Sequence, residues 1–155
     1  VTFLIVFYGI DHFFDLKFKP YHYIFVLVMI ISALLLSQFY RVYPHYDKVQ
    51  HYILPILVSA LVFHMISKHK MDMKWKLAFT MISVTAILTM HELIEYSLDI
   101  FFDLKLQGVF IRDLGGIEKL NIIQTQIDDT MIDLILGIAG TLTFGLFKWK
   151  THSST

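Results

Sequence analysis

Apolar and polar positions are segregated in blocks along this chain rather than alternating residue by residue. Charged stretches separate runs of mostly apolar residues. About 20 such residues in a helix cross roughly 30 Å of hydrocarbon. Residues 21–40 (YHYIFVLVMIISALLLSQFY) form one run, with no charge between Ile24 and Leu36. Residues 75–98 form another, apolar from Leu77 to Met90, and residues 128–147 form a further one. The run at 55–66 alone gives only about 18 Å of helix, so a span there must begin near Asp47; residues 47–67 give about 31 Å. Pro55 then lies inside that helix and cannot donate to the carbonyl of His51. Membrane helices tolerate such a proline where the freed carbonyl finds another partner.

The pattern predicts an all-α membrane protein. It is read as a four-transmembrane-helix bundle, a single integral membrane domain over residues 1–155 with spans near 21–40, 47–67, 75–98 and 128–147. Residues 1–14 supply an extra interfacial or partial helix, because their apolar run 3–10 is too short to cross. No basic stretch precedes that run, so it is not read as a signal peptide. The long loop 99–127 mixes apolar and polar residues and predicts a short interfacial or re-entrant element with a turn at Gly115 and Gly116.

Composition agrees with the spans. Of 155 residues, 56% are hydrophobic and 17% charged, against about 45–50% and about 25% in soluble domains. A soluble globular domain and a disordered chain are both excluded. Thirteen basic residues balance thirteen acidic ones, which argues against a nucleic-acid partner. The absence of cysteine removes disulfides, thiolate metal sites and cysteine nucleophiles.

Loop charges set the expected orientation. Lys17, Lys19, Lys68, Lys70, Lys74, Lys76, Lys148 and Lys150 fall on one side; Arg41, Lys48, Lys105, Arg112 and Lys119 fall on the other. The bias predicts a plasma (inner) membrane protein with both termini in the cytoplasm. Trp75 and Trp149 mark the cytoplasmic boundary and Tyr40, Tyr43 and Tyr46 the outer one, as aromatic belts do.

Ionisable groups then converge at the outer ends of three spans. The second carries Asp47 and His51, the third His91, Glu92 and Glu95, and the fourth Asp128, Asp129 and Asp133. At 1.5 Å per residue, His51, Glu92 and Asp133 lie about 6, about 9 and about 7–8 Å inside their helix ends. Asp47/His51, His91/Glu95 and Asp129/Asp133 are i,i+4 pairs, so each shares a helix face. Charged groups at such depth belong in the bundle interior, and clustered carboxylates require protons or a cation to offset their repulsion.

Asp47, His51, His91, Glu92, Asp129 and Asp133 are therefore the candidate metal ligands, with Glu95 as the candidate catalytic base. Carboxylate and imidazole without thiolate suit zinc, manganese or iron(II); magnesium or calcium fit where only oxygens bind. Asp128 and Asp129 also have the positions of simple helix caps. His45 borders the site. Arg112 is the candidate substrate contact, for an anion such as phosphate, and equally placed to pair with Asp113 or Glu118. Gln124 and Gln126 can hydrogen-bond at the site's mouth. H-E-L-I-E at residues 91–95 lacks the second histidine of the zincin motif. His64 faces away from His51 and makes a packing or hydrogen-bonding contact. His12, His22, His69 and His152 are expected in solvent. Gly137, Thr141 and Gly145 form a small-residue stripe for close helix packing.

D-K-V-Q-H at 47–51, E-L-I-E at 92–95 and Q-I-D-D-T-M-I-D-L-I-L-G at 126–137 resemble the VanZ-like superfamily of small integral membrane proteins, most closely its YjdF-type inner-membrane branch. The resemblance covers roughly residues 47–141. It implies that Asp47, His51, Glu92, Glu95, Asp129 and Asp133 are the polar motif residues and Gly137 a packing glycine. VanZ-like members tend to carry Gln at the position of Glu95, and the YjdF-type branch Trp at that of His91. VanZ-like proteins are associated with resistance to a lipoglycopeptide antibiotic.

Three functions follow as expectations. The first is a membrane-embedded metal-dependent hydrolase acting on a lipid or lipid-linked substrate reached under the 99–127 loop. The second is a proton or cation transport protein, which four helices suit only as a homo-oligomer. The third is an accessory subunit of a larger membrane complex, with the polar cluster locking three helices together. Membrane lipid is the expected partner throughout.

Overall fold

A computed structural model describes residues 2–36, 39, 43, 45–104, 106–112 and 119–153, with backbone alone for 110–112 and 119–122. Helix α1 (Thr2–Phe13) is followed by α2 (Pro20–Ile30), which continues into a π-helical turn, Ile31–Leu35. Three long helices follow: α3 (Tyr46–Ser67), α4 (Met73–Phe102) and α5 (Gln126–Ser153). Between α4 and α5 lie strands β1 (Val109–Arg112) and β2 (Lys119–Gln124), an antiparallel pair.

The all-α membrane architecture holds, with three helices long and apolar enough to cross a membrane. The 21–40 run is a shorter apolar helix, Pro20–Leu35, and the end expected at Tyr40 lies outside the described residues. Helix α3 begins at Tyr46, one residue before the start that its length demanded. Pro55 is buried inside it without ending it. The short element expected in 99–127 takes the form of a β-hairpin. Its strands pair their own backbone groups, as a polar segment between helices must. The turn expected at Gly115 and Gly116 lies outside the described residues.

Large apolar side chains such as Ile82, Ile87, Leu93, Ile135 and Leu146 are exposed on the long helices. A helix apolar on its outward face suits a hydrocarbon surround. Beside Leu77, Val84 and Phe144, the residues buried on these helices are small or polar, among them Ser59, Thr80, Glu92, Asp129, Asp133 and Thr141.

The closest packing is between α3 and α5. A Cβ on Gly140 would overlap the Tyr52 carbonyl oxygen, and one on Gly137 would stand 2.5 Å from a Leu88 methyl. Gly137 thus admits α4 and Gly140 admits α3. Gly145, expected in the stripe, is buried but would have nothing within 4 Å of its Cβ. The stripe expected at 137, 141 and 145 therefore shifts to Gly137 and Gly140. Thr141 bonds its own helix, donating to the Gly137 carbonyl at 2.9 Å.

Candidate functional site

The first turn of α3, the Glu92 region of α4 and the start of α5 meet at one end of the bundle. Burial separates the expected residues there. Glu92, Asp129, Asp133 and His51 are buried, whereas the His91 side chain is 53% exposed.

The centre of this acidic end is a residue that loop-charge counting had assigned to the outer loop. Lys48 lies one residue into the charged turn of α3, and its Nζ donates to Asp133 Oδ1 at 2.8 Å and Oδ2 at 2.7 Å. It also donates to Asp129 Oδ1 and, at 3.2 Å, to Asp47 Oδ2. Only 12% of the side chain is exposed. A detectable signal existed in the sequence: the acids at this end outnumber its cations, and the nearest lysine on a helix starting by Asp47 is Lys48.

Asp129 is fully engaged. One oxygen takes Lys48, and Oδ2 accepts the Gly108 N–H at 2.6 Å. Gly108 has a positive φ of 90°, a conformation that side chains disfavour, so a glycine suits this turn. Asp99 reinforces the same turn by accepting the N–H groups of Leu106 and Gln107 at 2.7 and 2.9 Å. Asp128 is a cap partner: its backbone N–H donates to Thr125 Oγ1 at 3.2 Å, and that hydroxyl donates to its Oδ2 at 2.6 Å.

His51 is held differently. Its Nε2 is 3.5 Å from Asp47 Oδ1, while Nδ1 is 3.7 Å from Glu92 Oε1 and 3.9 Å from Asp133 Oδ1. The two Nδ1 separations exceed ordinary hydrogen-bond lengths. Donor atoms of Asp47, His51 and Asp133 all lie within 4.8 Å of one another, so this buried group can hold a metal ion. Imidazole and carboxylate ligands sit about 2.0–2.2 Å from zinc; two ligands of one ion are then separated by about the distances seen around Nδ1. Asp129, held by Lys48 and the Gly108 N–H, lies outside this group.

His91 and Glu95 stand beside the group rather than in it. His91 Nε2 is 3.5 Å from Glu95 Oε1, and its ring is 5.7 Å from that of His51. Both line a cavity of about 240 Å³ with Asp47, His51 and the apolar side chains of Leu54 and Val58. Ala33 of the π-helical turn lines it too. That turn also carries Ser32, which receives the Gln50 amide at 2.8 Å and pairs with the Tyr46 hydroxyl at 3.1 Å. Departures from α-helical winding often occur at functional sites.

A second cavity, about 290 Å³, lies between α4 and α5 and is lined by Glu92 and Gln126. Gln126, expected at the mouth of the site, lines this second cavity and not the one that holds His51. The buried Gln124 Nε2 has no hydrogen-bond partner among the described residues. Arg112 belongs to β1, and its side chain lies outside the described residues. His45 is the residue that precedes α3.

A bundle of apolar helices closed around a buried charged cluster defines an integral membrane protein with an internal polar site. The chain belongs to the family described as "Predicted membrane protein (DUF2238)", whose model matches residues 1–154. No curated protein matches it, and no solved structure does.

Proposed function

We propose that the protein binds a divalent cation through Asp47, His51 and Asp133, with Glu92 as a further ligand, and uses it to hydrolyse a lipid or lipid-linked substrate. The carrying observation is the set of spacings around His51 Nδ1, too long for hydrogen bonds and suited to ligands of one ion. Charge supports the same reading. Asp47, Glu92, Glu95, Asp129 and Asp133 gather at the end of the bundle where, among the described residues, Lys48 is the ammonium in contact with carboxylates. Carboxylates in excess at low dielectric need protons or a cation.

A divalent cation bound there supplies Lewis acidity. Glu95 removes a proton from the attacking water, and His91, its i,i+4 neighbour, orients that carboxylate. The apolar wall at Leu54 and Val58 accepts the substrate's hydrocarbon part. Arg112 contacts an anionic group of the substrate, which approaches from the outer leaflet. In this proposal Pro20–Leu35 is the inner part of a fourth span, and both termini are cytoplasmic in the plasma membrane. The motif resemblance supports kinship with VanZ-like and YjdF-type proteins.

Metal analysis of the purified protein tests the proposal. About one zinc, manganese or iron per chain is expected, falling away in His51→Ala and Asp133→Ala. A folded wild-type protein that takes up no metal contradicts it.

The Lys48 contacts favour a second reading, in which the cluster is a charged lock between α3 and α5 in a subunit of a larger complex. Lys48→Met separates the two. A metal site gains cation affinity when a competing ammonium is removed, whereas a lock loses stability that no cation restores.

A further inference from the structure

The opposite end of the bundle holds a second polar cavity, of about 430 Å³, between α2, α3 and α5. His22, expected in solvent, is 1% exposed and lies against His64, with ring centroids 4.5 Å apart. Phe18 packs on both imidazoles, with ring centroids 5.1 Å apart, and covers His22.

Hydrogen bonding fixes the donor character of each ring. The Lys19 N–H donates to His22 Nδ1 at 3.0 Å, so Nδ1 is bare and the ring proton is on Nε2. That Nε2–H has no hydrogen-bond partner among the described residues. His64 Nε2 donates to the Leu16 carbonyl at 3.0 Å. Ser67 Oγ is buried without a hydrogen-bond partner. Lys148 lies on the same cavity, its Nζ 5.4 Å from the Phe63 ring centroid, with no carboxylate in ion-pairing range among the described residues.

The cavity thus combines an imidazole N–H, a hydroxyl and an ammonium, all lacking acceptors, and no carboxylate lines it. The Ser67 hydroxyl is buried without a partner, which is costly, and the acceptor that matches it together with the His22 N–H and the Lys148 ammonium is an anion with several oxygens. The remaining wall is apolar and aromatic, including Ile56, Phe144 and Phe147. A free ion would leave that wall uncovered, whereas a lipid covers it with hydrocarbon.

We propose that this cavity binds the phosphate headgroup of an anionic phospholipid in the leaflet at the lysine-rich end, through His22, Ser67 and Lys148. The site is separate from the acidic end, and its lipid is a bound ligand of the fold rather than the substrate.

Native mass spectrometry of the full chain, released from nanodiscs of mixed phosphatidylglycerol and phosphatidylcholine, tests the proposal. One retained phosphatidylglycerol per chain is expected, preferred about tenfold or more over phosphatidylcholine. Lys148→Met should abolish that preference and His22→Gln should weaken it, while Lys70→Met should leave it intact. Lys148 sits at a half-buried helix end, so its variant is expected to fold, which circular dichroism checks. Equal retention of the two lipids by wild type overturns the proposal. So does a preference that survives Lys148→Met, or one lost equally in Lys70→Met. Inorganic phosphate supplies a further arm: phosphate bound in place of lipid rejects the lipid assignment.

Discussion

Two lysines at opposite ends of the bundle have opposite surroundings. Lys48 is half-buried, 12% of its side chain exposed, against Asp47, Asp129 and Asp133. Lys148 is half-buried against the Phe63 ring in a cavity lined by no carboxylate. One end has more acid than its cation can balance; the other has donors without an acceptor. The same low-dielectric setting therefore favours a cation at one end and an anion at the other. Zero net charge in the sequence conceals this separation.

The largest expected effect comes from removing the balanced charge. Lys48→Met should destabilise the metal-free protein by about 3–5 kcal/mol, because it leaves three acids facing one another without their ammonium. Denaturant unfolding in detergent measures this, and a change near zero would equate the two lysines and break the comparison. Gly140→Ala should cost about 1–3 kcal/mol, since its Cβ would meet the Tyr52 carbonyl, which only a helix shift can relieve. Gly137→Ala should cost less, because the Leu88 methyl that it meets can rotate away. Asp128→Ala should cost about 1 kcal/mol through loss of the Thr125 cap partner, with metal uptake unchanged. Lys148→Met should change stability by less than about 0.5 kcal/mol, so that its effect is confined to lipid retention.

Much of this organisation was legible in the sequence. The three long helices follow from run length, and the start of α3 follows from the length that a crossing needs. Asp47, His51, Glu92 and Asp133 follow from depth and i,i+4 spacing. Lys48 was missed because a lysine at a span boundary reads as a topological signal, and only tertiary packing turns it toward α5. His22 was missed because the surrounding lysines and aromatics look interfacial, although Phe18 folds back over the ring. Gly140 was missed because a stripe at i,i+4,i+8 describes one helix face, while Gly137 and Gly140 serve two neighbours. The hairpin lacked a signal of comparable strength, since 99–127 has neither helical nor strictly alternating periodicity.

The cation site is tested most directly by titrating chelator-treated protein with zinc and with manganese in a calorimeter, for wild type, Lys48→Met and His51→Ala. The predicted result is one ion per chain for wild type, tighter binding for Lys48→Met and none for His51→Ala. A folded wild-type protein that binds neither ion, or binding that His51→Ala leaves unchanged, would contradict it.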